Sequence, residues 1–243
     1  MGEKMRLDKL LCDCGAGTRS EVKTYIKKKR VTVNGEPYRD PGMKVDPSED
    51  VVKLDGREVS YERFRYFMLN KPAGCVSATR DGLSSTVIDL LEGEIIKGLF
   101  PVGRLDKDTE GFLLITNDGQ LGHNLLSPKK HVDKTYIAVV DKALSDSEMD
   151  EFAGGIDIGD EEPTMPAAIS FFGETGDGQS VFEVILHEGR YHQVKRMFEH
   201  FGSHVIYLKR TAMGGVELDE NLEPGEYRRM TEAELEELKG VKA

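Results

Sequence analysis

Tryptophan is absent from these 243 residues, and cysteine occurs only three times. Cys12, Cys14 and Cys75 cannot all pair internally, and a Cys-x-Cys spacing is not the usual zinc spacing. A disulfide framework and a structural zinc site are therefore not expected, and the thiols read as reduced or buried. No apolar run approaches the roughly 20 residues that span a bilayer. The opening Met-Gly-Glu-Lys-Met-Arg-Leu-Asp has no apolar core of the kind a secretion signal carries, so a cytoplasmic chain is expected. An excess of basic charge is missing too: the net charge is −11, which argues against blanket affinity for nucleic acid. No internal repeat and no low-complexity tract is visible. What remains, with 38% hydrophobic and 32% charged residues, suits a globular chain of one or two domains.

Charge is unevenly distributed. Residues 1–60 hold 13 basic and 11 acidic side chains, leaving +2, while the remainder of the chain carries −13. Arg19, Lys23, Lys27, Lys28, Lys29 and Arg30 fall within twelve residues, opposed only by Glu21. The amphipathic segment from Arg6 through Leu11 predicts a helix that Gly15-Ala16-Gly17 stops. Thr18 with Glu21 predicts a capping box opening a second helix over about 19–29. Val31-Thr32-Val33-Asn34-Gly35 reads as a strand entering a hairpin, and Val51–Leu54 as another strand. Helix, turn, basic helix and hairpin together resemble the S-four-like RNA-binding domain. That resemblance implies a basic face toward structured RNA, carried here by Arg6, Lys9, Arg19, Lys23, Lys27 and Arg30.

Polar residues 60–65 read as a linker. Beyond it, Tyr66–Asn70 reads as a strand running into the Lys71-Pro72-Ala73-Gly74 turn, and Thr86–Leu91 as a helix. Lys134–Val140 is strongly β-prone. Ser145 with Glu148 predicts a capped helix, strands are expected near 167–172, 181–186 and 205–208, and Gln193–Phe201 reads as helical. Thr231 with Glu234 predicts the cap of a closing acidic helix. Strands outnumber helices and hairpin-like spacings dominate, so an α+β fold with a mainly antiparallel sheet and flanking helices is expected. The expected domains are 1–59, a linker over 60–65, and 66–243.

One stretch concentrates the chemistry. Residues 103–119 place Arg104, Asp106, Lys107, Asp108 and Glu110 before the apolar run Phe112-Leu113-Leu114-Ile115, and Asn117-Asp118-Gly119 then reads as a turn. A charged loop feeding a buried strand is a way to hold a carboxylate rigidly at a cleft. Two further segments stand out: Lys134-Thr135-Tyr136, with a Tyr at the start of a strand, and Glu188-Gly189-Arg190-Tyr191-His192-Gln193-Val194-Lys195-Arg196.

Gly-Arg-Leu-Asp-x-Asp-Thr-x-Gly, Asn70-Lys71-Pro72-x-Gly74 and these two segments resemble, in chain order, the motifs of pseudouridine synthases, and most closely the ribosomal small subunit group. That resemblance implies isomerisation of a uridine in 16S rRNA, with large-subunit 23S rRNA as the alternative. The substrate is then ribosomal RNA or a small-subunit assembly intermediate, and the enzyme is a monomer that needs no cofactor, no metal and no membrane. Asp106 is implied as the nucleophile. Lys195 is the nearby cation that keeps it ionised, and Tyr136 stacks on the uracil and assists the final proton removal. The target must leave the RNA stack. Arg104 is implied to fill the vacated space and Leu208 to wall the base, while Arg190 and Lys71 are expected to contact the RNA. His192 has no second His or Cys at metal spacing and is expected to make structural hydrogen bonds.

Two other classes remain open on sequence grounds. A non-catalytic rRNA-binding module is disfavoured because Asp106, Tyr136 and Lys195 are all present. A glycosidase built on Asp106 and Asp108 is disfavoured because residues two apart tend to point apart and no Trp supplies a sugar platform.

Overall fold

The computed structural model describes residues 4–240. It divides into two compact units, one running to Phe64 and including Gly93–Lys97, the other comprising Arg65–Glu92 and the chain from Gly98 onward.

The first unit begins with β1 (Met5–Arg6), α1 (Leu7–Asp13) and α2 (Arg19–Lys27). Gly15, at φ +73°, ends the first helical segment, where an L side chain is disfavoured. Thr18 and Glu21 close the expected capping box, Thr18 N donating to Glu21 Oε2 at 2.8 Å and Glu21 N to Thr18 Oγ1 at 3.4 Å. Strands β2 (Val31–Val33), β3 (Glu36–Pro37), β4 (Lys44–Val45), β5 (Val52–Leu54) and β6 (Arg57–Glu58) complete the unit. Asn34 and Gly35 both sit at positive φ, +53° and +86°, as the two-residue turn between β2 and β3 requires. Val22 and Ile26, four residues apart, bury one face of α2 against Leu7, Leu10 and Leu11 of α1 and the valines of the strands. Packing of that face leaves Arg19, Lys23 and Lys27, at i, i+4 and i+8, on the exposed side. Residues 93–97, expected within the second domain, cluster with this unit instead. There Lys97 Nζ meets Asp13 Oδ1 at 2.8 Å, and Ile95 packs where a side chain at Gly15 would stand.

The second unit comprises, in chain order, β7 (Tyr66–Lys71), β8 (Phe100–Pro101), β9 (Glu110–Thr116), α3 (Gly119–Leu126), β10 (Lys134–Val140), α4 (Asp146–Phe152), β11 (Ala168–Glu174), β12 (Ser180–Leu186), α5 (Gln193–His200), β13 (Val205–Met213), β14 (Val216–Glu217), β15 (Tyr227–Arg229) and α6 (Glu232–Gly240). Its sheet runs β11-β12-β10-β13-β9-β7-β15, with β14 on β13 and β8 on β9. Every named strand pair in it is antiparallel except β9–β13, which aligns Glu110 with Lys209 and Gly111 with Arg210.

Burial follows the residue pattern. β10 and β12 alternate buried and half-buried residues, so one face is covered. β7 and β9 are buried on both faces: Phe67, Leu69, Leu113 and Ile115 enter one core, Met68, Phe112 and Leu114 the other. This explains why Phe112-Leu113-Leu114-Ile115 is an unbroken apolar run rather than an alternating one. The caps at Ser145 and Thr231 form as expected.

Two local expectations are corrected. Thr86–Leu91 forms successive turns rather than a helix, with Asp89 Oδ2 accepting from Thr86 N at 2.8 Å and Thr86 Oγ1 at 2.9 Å. Asn117-Asp118-Gly119 is a helix start, because Asp118 Oδ1 accepts from Gln120 N and Leu121 N, both at 3.1 Å, and caps α3. Among the described residues, no helix is long and apolar enough to cross a membrane.

Candidate active site

Asp106 lies on the loop that enters β9, and backbone ties fix that loop on both sides. Ser77 Oγ donates to Leu105 O at 2.9 Å and accepts from Leu105 N at 3.0 Å. Gly74 N donates to Lys107 O at 2.7 Å, and Thr109 N to Asp106 O at 3.1 Å. The buried Lys71 ammonium reaches the same loop, donating to Thr109 O at 2.8 Å, Lys107 O at 3.4 Å and Pro72 O at 3.0 Å.

Lys71 therefore does not contact RNA. It is 0% exposed, and its hydrogens are directed to main-chain carbonyls, so its role is to brace the Asp106 loop. Burial pushes its pKa down, with Cys75, Asp108, Glu110 and Asp106 opposing the shift. Lys71→Met leaves Thr109 O and Lys107 O without their charged donor. Each such loss costs roughly 1–3 kcal/mol, so the melting temperature is expected to fall by about 5 °C. Turnover is expected to fall about 100-fold, because a catalytic group displaced by an ångström loses that much. Calorimetry with parallel kinetics checks both, and an unchanged melting temperature contradicts the bracing role.

α5 brings the opposing charge. Lys195 Nζ lies 3.6 Å from Asp106 Oδ2, and His192 Nε2 lies 3.6 Å from Asp106 Oδ1. Lys195 also donates to Asp108 Oδ1 and Oδ2 at 2.7 and 2.8 Å. The Lys195 ammonium holds the Asp108 carboxyl below the usual carboxylate range. Asp106 and Asp108 thus meet one ammonium rather than pointing apart, because the tight turn closed by Thr109 N on Asp106 O is not an extended strand. His192, expected to be structural, faces the carboxylate of Asp106. It does so from a left-handed backbone at φ +51° as the N-cap of α5.

The cleft behind Asp106 is lined by Tyr136 and Leu208, both buried, together with Leu186, Val194 and Arg104. Tyr136 and Leu208 project from adjacent strands, β10 and β13, onto the same face. Arg104 is exposed at its rim. A separate cavity of about 370 Å³, between α3 and α6, contains none of these residues.

Arg190, expected to contact the RNA, is engaged within the protein. Its guanidinium donates to Glu162 O at 2.6 Å, Pro163 O at 2.8 Å and Glu188 Oε2 at 3.1 Å, so it holds the loop. Glu188 Oε1 accepts from Gln193 Nε2 at 2.9 Å and from Met165 N at 2.8 Å, knitting the segment before α5 into a fixed turn.

Buried Lys134 sits two residues before Tyr136 and donates to Val132 O at 2.9 Å. Burial, reinforced by Arg210, lowers its pKa from 10.5 to about 8. Between those values the unfolded chain binds the proton and the folded chain does not, so folding stability gains as pH rises through that window. Relative to Lys134→Met, the wild-type unfolding free energy is expected to rise by about 2 kcal/mol from pH 8 to 10. Urea titrations of both proteins across that range measure the difference, and a flat difference contradicts the buried charge.

In the first unit, Lys9, Arg19, Lys23 and Lys27 are exposed. Arg6 and Arg30 are exposed but paired, Arg6 with Asp8 at 2.8 Å and Arg30 with Asp55 at 2.5 Å.

A carboxylate held between an ammonium and an imidazole, at the mouth of a cleft walled by an aromatic ring and a leucine, defines a nucleophile site for a flat ring. Residues 65–200 match the RNA pseudouridylate synthase family, and residues 5–59 match the S4 domain. The chain belongs to the RNA pseudouridine synthases. It is 48% identical over 233 residues to the uncharacterized RNA pseudouridine synthase YtzG of Bacillus subtilis, covering 95% of this chain and 97% of that one. It is 42% identical over 234 residues to ribosomal small subunit pseudouridine synthase A of Vibrio cholerae, covering 95% and 98%. A crystal structure of a pseudouridylate synthase superposes with a TM-score of 0.66 at 38% identity, covering 96% of this chain and 99% of that one.

Proposed function

We propose that this synthase isomerises a uridine of small-subunit ribosomal RNA, with Asp106 as nucleophile. The observation that carries the reading is the placement of Asp106 between Lys195 and His192, facing Tyr136 and Leu208. The full-length likeness to relatives named ribosomal small subunit pseudouridine synthase A supports the choice of RNA.

The target uridine leaves its stack to enter the cleft. Exposed Arg104 takes the space it vacates, and the uracil lies between Tyr136 and Leu208. Asp106 supplies the carboxylate that attacks as the covalent partner. The Asp106 carboxylate bonds to the sugar C1′ as the bond from C1′ to N1 breaks, the base turns, C5 bonds to C1′ as the bond from C1′ to Asp106 breaks, the proton on C5 leaves, and N1 takes up a proton. No atom is gained or lost overall. Lys195 places its ammonium 3.6 Å from Asp106 Oδ2, beside the attacking carboxylate, and the Tyr136 hydroxyl assists removal of the C5 proton.

The unit running to Phe64 binds the RNA with the exposed face of α2, where Arg19, Lys23 and Lys27 stand one turn apart, and Lys9, Arg6 and Arg30 extend that track. The enzyme acts as a monomer, in the cytoplasm where its substrate is made.

Tritium release from C5-labelled uridine tests the choice of RNA. Release from small-subunit rRNA or its assembly intermediates, and not from large-subunit rRNA, is the expected result. Release from large-subunit rRNA alone moves the substrate and keeps the chemistry.

A further inference from the structure

Tyr191 has no part in the steps above, yet its ring is held with care. It is 75% exposed, while the apolar side chains lining the neighbouring cleft are buried. The ring is not loose on the surface. It stacks on the His192 imidazole with centroids 3.8 Å apart and planes 17° apart. Arg196 Nη1 donates to Tyr191 O at 3.1 Å, fixing the backbone beneath the stack. His192 adopts a left-handed conformation that a residue with a Cβ enters only at a cost. Its Nε2 atom lies 3.6 Å from the Asp106 carboxylate. The order is therefore carboxylate, imidazole, phenol ring, and then an open aromatic face.

An RNA base next to a flipped nucleotide loses its stacking neighbour. An exposed aromatic face beside the flipping pocket replaces that neighbour, and it accepts any base because every base presents a π-face. We propose that the open face of Tyr191 is a stacking subsite for the base that flanks the target uridine, with His192 positioning the ring against the nucleophile loop. The proposal rests on reading the Asp106 cleft as the uridine pocket.

The test uses an rRNA stem–loop containing the mapped uridine, with 2-aminopurine placed on its 5′ or its 3′ side. Titration with Asp106→Asn protein is expected to quench the fluorophore on one side. Adding Tyr191→Ala abolishes the quenching, and adding Tyr191→Phe, which keeps the ring, preserves it. In tritium release with Asp106 intact, Tyr191→Ala is expected to raise KM by about 5- to 160-fold, the range set by one lost base–aromatic stack. Tyr191→Phe restores KM to near the wild-type value. Equal quenching and equal KM in Tyr191→Ala overturn the subsite. Loss of quenching in Phe as well as Ala overturns stacking, because the hydroxyl is then what matters. Absence of tritium release by the wild type defeats the synthase reading instead, and the fluorescence titration still reports whether the ring carries a base.

Discussion

Asp106→Asn is expected to abolish pseudouridine formation, lowering the chemical rate by about 10,000-fold or more while the protein stays folded. Losses of that order follow removal of a nucleophile that no neighbour replaces. The carboxamide is nearly isosteric with the carboxylate, and the loop is held by Ser77, Gly74 and Lys71 through main-chain atoms rather than through the Asp106 side chain. The lost quantity is negative charge and nucleophilicity. Asp108 does not take over, because both its oxygens are engaged by Lys195 at 2.7 and 2.8 Å, and its side chain is 72% exposed. Single-turnover kinetics beside a circular dichroism spectrum of each protein separates a dead site from an unfolded one.

The second large effect is structural. Gly111→Ala is expected to cost at least about 3 kcal/mol, the range of backbone strain and overpacking combined. At 2–4 °C per kcal/mol for a chain of this size, the melting temperature falls by about 10 °C. A Cβ at Gly111 would stand 2.2 Å from Arg210 O and 2.9 Å from Arg210 N, and φ there is +101°. Neither obstacle is a flexible side chain that swings away. Gly111 lies in the β9–β13 pairing, which among the described residues is the one strand-to-strand link between β11-β12-β10-β13 and β9-β7-β15. Asp106 and Lys71 belong to one half, Tyr136 and Leu208 to the other. Prying the halves apart therefore removes activity together with stability. Gly176→Ala, with nothing within 4 Å of its Cβ, is the control expected to melt with the wild type.

Much of this architecture is legible locally. The capping boxes at Thr18, Ser145 and Thr231 are three-residue signals whose partners lie in the same turn. The Asn34-Gly35 turn declares its positive φ by residue type. The loop from Gly103 to Glu110, followed by an unbroken apolar run, announces a carboxylate leading into a doubly buried strand. What the sequence hides is partnership at a distance. Lys71 and Arg190 read as RNA contacts because cations within such motifs favour that, yet Lys71 meets Thr109 O, 38 residues on, and Arg190 meets Glu162 O, 28 residues back. His192 approaches Asp106 only because α5 packs beside the loop. Asp118 shows the opposite error, a strong turn former that serves as an N-cap, where the glycines at 119 and 122 weaken the helical pattern that follows. The segment 93–97 carries no pattern assigning it to either unit.

The most direct test of the central claim compares the two neighbouring carboxylates in one assay. Wild type, Asp106→Asn and Asp108→Asn are given the same C5-tritiated small-subunit rRNA, and tritium release is followed to completion. Release by the wild type and by Asp108→Asn, with none from Asp106→Asn, is the result this geometry predicts. Release by Asp106→Asn, with Asp108→Asn inert, contradicts it and places the nucleophile two residues further along the loop.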